Sequence, residues 1–264
     1  METLYQSLVC VHITGGFGGL LLLWVPLLTR KGGRTHRRVG WAYVTCMSVA
    51  VATAFVMVAI LLVDPLAAKP LRRPHPPEEI AVIMKQYRAF AAFLGMLALL
   101  TFVSGWTGLT VLRHKKDPLG MRTPFNLGSS ALLGLVGVVV LVMGLQQGIW
   151  LLVFLGPLGI LTGFAGTYAL LYPPRLNMGW WYDHLGGMMG TGIAAYTAFT
   201  VFGAQRWMPD LARTALFPLF WIVPIVGGVI ASEWMTRHYK RKFGDLPGGR
   251  PSAEDSGRVS TPSA

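Results

Sequence analysis

Seven long stretches of the chain carry almost no charge, and short clusters of lysine and arginine separate them. These uncharged stretches run roughly over Leu4–Leu28, Val39–Val63, Ala89–Leu112, Leu127–Leu145, Gly148–Leu171, Leu185–Ala204 and Thr214–Ser232. Each reaches the length of about 20 helical residues needed to cross a ~30 Å hydrocarbon core. Inside lipid a segment must satisfy its own backbone hydrogen bonds, and unbroken apolar runs of this length do so as helices rather than as barrel strands. The pattern predicts an all-α fold, a polytopic membrane bundle of seven transmembrane helices.

The division between the fourth and fifth spans needs a separate argument. No charge occurs between Thr123 and Pro174, and one helix over that stretch would be about 75 Å long. The run Gly144-Leu145-Gln146-Gln147-Gly148 is the one polar, glycine-flanked interruption, so the hairpin is expected there.

Loop charges set the orientation. With the N-terminus outside and the C-terminus cytoplasmic, the inner segments hold Arg30, Lys31, Arg34, Arg37 and Arg38, then Arg113, Lys115, Lys116 and Arg122, then Arg175, and finally Arg237, Lys240, Arg241 and Lys242. The outer segments hold half as many, namely Lys69, Arg72, Arg73, Lys85, Arg88, Arg206 and Arg213. Removing one span would invert every later loop and spoil this bias, so the tally also supports an odd number of helices. Trp41, Trp150, Trp180, Trp181, Trp207 and Trp234 fall near the same boundaries, where amphipathic rings favour the interface.

Outside the spans little mass remains. The loop from Asp64 to Glu79 is proline-rich and expected to be extended. The domain reading is a seven-helix transmembrane domain over 1–238 and a cytoplasmic tail over 239–264. From Lys242 onward that tail is rich in Gly, Pro, Ser and Asp, a disordered composition.

Composition agrees. Of 264 residues 53% are hydrophobic and only 13% charged, against about 25% charged in soluble domains. The net charge of +12 does not indicate nucleic acid, because the charges are confined to the loops. Cys10 and Cys46 lie in apolar runs at opposite ends of neighbouring spans, roughly 15 Å apart by helical rise, too far for a disulfide. The start, Met1-Glu2-Thr3-Leu4, lacks the basic region of a signal peptide, so the first helix is expected to be retained.

Glycine recurs at helical spacing: Gly156, Gly159, Gly163 and Gly166 on one face of the fifth span, Gly15 and Gly19 in the first, Gly186 and Gly190 in the sixth. Close approach through small residues is the main packing device between helices in lipid. The alternative is that glycine clears room for a flat cofactor where a ligand residue shares the face.

The absences narrow the chemistry. No lysine lies in a span, which excludes a retinal Schiff base, and no carboxylate lies near mid-membrane, which weighs against a proton- or sodium-coupled transporter. There is no H-E-x-x-H, no G-x-S-x-G and no P-loop, so hydrolase and nucleotide-driven readings have no residues to rest on and the chain does not read as an enzyme.

Two polar constellations remain. His12 is the one ionisable residue deep in a span, about 12 Å below the outer end of its helix. Gly15, Gly16 and Gly19 share its face, and Met57 and Met96 are expected at similar depth. Histidine with methionine ligates haem iron or holds copper, so haem b or copper is the candidate group. A histidine hydrogen-bonded to a neighbouring helix would meet the same polar demand. At the cytoplasmic face, His36, Arg37, Arg38, His114, Asp183, His184 and Glu233 share one level. They are expected either to pair across helix ends, with Asp183, His184 and Glu233 networked to Arg37 or Arg38, or to form a headgroup, quinone or metal site. His12 and His184 differ in depth by about 15 Å, too much to share one iron.

The H-R-x-x-G-x-x-Y pattern His36-Arg37-Arg38-Val39-Gly40-Trp41-Ala42-Tyr43 follows the first span, which carries His12. Later come His184, Met188 and Ala194-Ala195-Tyr196-Thr197-Ala198-Phe199. Together these stretches resemble a group of bacterial multi-pass membrane proteins of unknown function. The resemblance covers the first two helices and the sixth. It implies a bacterial inner membrane and marks His12, His36, Arg37, Gly40, Tyr43 and His184, but carries no activity.

Three function classes stay open. The first is a haem- or metal-binding redox or accessory membrane protein using His12. The second is a structural or partner-binding membrane subunit, with membrane-protein partners or a second copy of itself. The third is a small-solute transporter, for which the spans offer only Ser, Thr and Tyr as a polar path.

Overall fold

A computed structural model of the chain describes residues 1–246 apart from 72, 213 and 215. Every regular element among the described residues is helical, and seven helices are long and apolar enough to cross a membrane. We number them α1 (Glu2–Leu28), α2 (Arg34–Val63), α3 (Pro77–Thr110), α4 (Pro124–Gln147), α5 (Trp150–Leu171), α6 (Gly179–Trp207) and α7 (Leu219–Lys242).

The helices overrun the apolar stretches where sequence supplies starting signals. α3 begins at Pro77, with Pro at its first position and Glu78 and Glu79 in its first turn. Proline costs no hydrogen bond there, and carboxylates suit the positive helix start. The preceding loop is not wholly extended, because Asp64 caps a single turn over Pro65–Ala68 by accepting from the Ala67 amide at 3.0 Å. The α4–α5 hairpin turns at Gly148, whose φ of 65° is left-handed and favours glycine. The amide of the next residue, Ile149, donates back to the Gly144 carbonyl at 3.0 Å.

Glycine sets the tightest helix pair. A Cβ on Gly137 would stand 2.5 Å from the Ile160 nitrogen, and one on Gly163 would run into the Gly134 backbone. Gly144 and Gly156 make similarly close backbone approaches to the partner helix. α4 and α5 therefore meet backbone to backbone, gaining dispersion contact where lipid offers no hydrophobic drive. In α6 the close approach falls to Gly187, against Ser104 and Gly108 of α3, while a Cβ on Gly186 would meet nothing within 4 Å.

The main core lies around α3. Phe93, Met96, Leu133, Val140, Leu152, Val201 and Trp221 are fully buried there, drawing together α3, α4, α5, α6 and α7. α1 packs on α2 beside it, and a second cluster of Tyr5, Leu61, Ala68 and Ala91 closes one end of that pair. α1 breaks its regular path at Leu23, three residues before Pro26. Trp24 Nε1 donates there to the Tyr196 hydroxyl, which donates to the Leu20 carbonyl at 3.1 Å, fastening the break to α6. Cys10 and Cys46 are both free.

α7 passes the expected domain boundary at 239, and the residues just beyond Lys242, where loose chain is expected, are held in place. The helix runs to Lys242, and the next residues dock on the start of α6. Asp245 accepts from the Asn177 and Met178 amides at 2.8 and 3.2 Å and from the Tyr182 hydroxyl at 2.6 Å. Trp181 packs on Tyr239 and Phe243, with ring centroids 4.1 and 5.7 Å away. The rest of the expected tail, 247–264, lies outside the described residues.

Candidate functional site

Ionisable side chains gather at the end of the bundle that carries most of the arginines and lysines, and the helix ends there explain how they are held. A helix leaves its last four carbonyls without intrahelical donors. α1 ends at Leu28, so the Pro26 carbonyl is one of these, and His36 Nδ1 donates to it across 3.1 Å. Lys31 Nζ donates to the same carbonyl at 2.9 Å and to the Leu27 carbonyl at 2.5 Å. Burial pushes the Lys31 ammonium below its ordinary value. α3 ends in the same way, passing into a 3₁₀ turn over Val111–Arg113, and His184 Nδ1 donates to its Gly108 carbonyl at 2.7 Å.

A carbonyl can only accept, so the neutral form of each imidazole has its proton on Nδ1 and its lone pair on Nε2. The two rings stand with centroids 6.4 Å apart and planes inclined by 64°. One comes from the first turn of α2, the other from the second turn of α6. Both are half-buried.

Deeper along the same faces the second and sixth helices touch. The Tyr43 and Thr191 hydroxyls are 2.5 Å apart, and Thr191 also donates to the Met188 carbonyl at 2.7 Å. Between this bridge and the histidines lies Gly40. It belongs to the inward stripe of α2 formed by His36, Gly40, Tyr43, Met47 and Ala50, yet a Cβ on it would find no atom within 4 Å. Beside the bridge, an open-sided cavity of about 260 Å³ lies between α2 and α3 and reaches Met188 and Thr191 of α6.

The other members of the expected inner cluster go elsewhere. Glu233 pairs with Arg237 on its own helix at 2.7 Å instead of joining Arg37 or Arg38. Asp183 feels the charge of Lys240 on α7. His114 packs against Gly120 and Asp117 of its own loop. Helix order explains the difference: α7 approaches α6 from the side away from α2.

His12 finds the polar partner its depth demands. Its Nδ1 lies 2.8 Å from the Ala50 carbonyl and 3.4 Å from Thr53 Oγ1, both on α2. The neighbouring glycines make room for that helix. A Cβ on Gly15 would meet the Cys46 carbonyl at 3.0 Å and one on Gly19 would meet Met47 Sδ at 2.7 Å, whereas Gly16 faces open space. The methionines do not gather around His12. Met57 packs beside Tyr5 and Leu61, and fully buried Met96 is turned to Gly159 of α5.

Among the described residues no three of His, Cys, Asp and Glu converge to hold a metal ion. The pairing of His36 with His184 had one sequence signal, their shared level at one end of the bundle. Comparison with protein-family models, curated proteins and solved structures finds no match.

Proposed function

We propose that the chain is a haem- or metal-binding redox or accessory protein of the bacterial inner membrane, and that its ligands are His36 and His184 rather than His12. The observation carrying this reading is the His36–His184 pair: two imidazoles, each anchored through Nδ1 to a helix-end carbonyl, with rings 6.4 Å apart. Metal-bound histidine usually holds its other ring nitrogen on such a partner, which fixes tautomer and ring orientation. Two metal–nitrogen bonds of about 2 Å plus the two ring radii add to roughly 6 Å, so one metal fits between the rings.

His12 fits the role less well because the space beside it is filled by α2 and its proton-bearing nitrogen is engaged there. The orientation belongs to the same proposal. The positive-inside bias puts the histidine pair at the cytoplasmic face, with the N-terminus outside.

Metal analysis and an absorption spectrum on protein purified in detergent test the reading. About one metal per chain is expected. His36→Ala and His184→Ala each lose it, and His12→Ala keeps it. A metal-free, colourless wild-type protein would return the chain to the class of structural membrane subunits.

A further inference from the structure

Resting on that reading, we infer that the group between His36 and His184 is a haem whose ring stands edge-on in the gap at Gly40. Two protein ligands leave a bare zinc ion undercoordinated, since zinc takes three or four, and no third acid, cysteine or histidine joins the pair among the described residues. A haem needs only two, because its macrocycle supplies the other four nitrogens.

The shape of the site points the same way. A ring lying across the line between the two imidazoles must extend along the membrane normal, away from the histidines and between α2 and α6. Four residues deeper, or about 6 Å along either helix, are Gly40 and Met188. At Gly40 the inward face has nothing within 4 Å. Met188 is an unbranched, flexible side chain that turns its methyl toward Gly108 of α3 and packs against the Leu23, Tyr43 and Met47 cluster, so it is the side chain that must shift to admit the ring. Tyr43 and Thr191, hydrogen-bonded to each other, close the floor of the gap. Arg37 and Arg38 follow His36 directly and the charge of Lys115 reaches His184, so cations suited to the carboxylate substituents of the ring stand at the same end. Packing within the chain does not itself require glycine at 40, since a Cβ there would meet nothing within 4 Å.

The test uses the full chain, expressed with added 5-aminolaevulinate, purified in detergent and assayed as the pyridine haemochrome. The wild type is expected to hold about one haem b per chain, with the low-spin spectrum of two axial imidazoles. Gly40→Leu puts a bulky side chain where a Cβ meets nothing within 4 Å, so it should lose at least nine-tenths of the haem while keeping the wild-type elution profile and the melting temperature of the haem-free wild type. His184→Met should retain haem with a shifted spectrum and a raised potential, a signature that loss of a merely structural contact would not give. A Gly40→Leu protein with full haem overturns the placement in the gap. A haem-free wild type with another metal bound one per chain, and bound equally by Gly40→Leu, overturns the haem and leaves the histidine pair standing. A wild type with neither overturns both.

Discussion

Gly163 and Gly16 are the same residue type in two different solvents. A methyl group on Gly163 has the Gly134 backbone in its way, and backbone cannot move aside as a side-chain tip can. Gly163→Ala is therefore expected to destabilise the α4–α5 pair by about 1–3 kcal/mol. Gly16→Ala, with nothing within 4 Å, should be neutral or stabilising by up to about 1 kcal/mol, the helix preference for alanine. Melting temperatures in one detergent compare the two, and equal losses would refute the packing account. His12 gives a second contrast. Replacing it with leucine removes one hydrogen bond, but Thr53 Oγ1 still donates to the Ala50 carbonyl at 2.9 Å. The loss should be near 1 kcal/mol, with bound haem or metal unchanged. Sequence revealed His12 as a buried polar group that must find a partner. It could not reveal the partner, because any backbone carbonyl on a neighbouring helix is chemically the same.

At the level of elements, one carboxylate beyond the last helix adds a polar clasp to the aromatic packing that joins α6 and α7. Asp245 accepts two amides and a hydroxyl at the start of α6, where the helix dipole also favours negative charge. Asp245→Ala should cost about 2 kcal/mol. Truncation after Lys242 should cost at least as much, and truncation after Leu246 almost nothing. Thermal unfolding of the three proteins checks this, and an unaffected Asp245→Ala protein would show the clasp to be idle. Composition concealed this clasp, since Asp245 lies in a stretch whose Gly, Pro and Ser content reads as loose chain. Hydropathy located the α4–α5 hairpin because Gly148 is both a break in the apolar run and a residue able to take φ of 65°. It misplaced the start of α3 because Glu78, Glu79, Lys85 and Arg88 are charged, although Pro77 followed by two acids is itself a helix-start signal. His36 and His184 were each legible as candidates. Their approach to 6.4 Å was not, because it depends on which helices become neighbours, and apolar periodicity does not encode that.

For the whole molecule, the arrangement of charge and the location of the histidine pair bear on each other. A bundle with seven crossings puts the two chain ends on opposite sides of the membrane, and the basic residues cluster at the end that also holds His36, His184 and Lys31. If that end is cytoplasmic, a group bound there is loaded from inside the cell, and its carboxylates face the cationic loops. Cysteine mapping decides the matter. In a background with Cys10 and Cys46 replaced by alanine, Lys69→Cys and Asp210→Cys should react with a membrane-impermeant maleimide in intact cells. Lys116→Cys and Lys242→Cys should react only after the membrane is permeabilised. The reverse pattern would invert the bundle and put the histidine pair on the outer face, where a haem would have to be delivered by export. Labelling of all four positions from outside would mean that an even number of crossings separates them, contrary to the seven-span bundle.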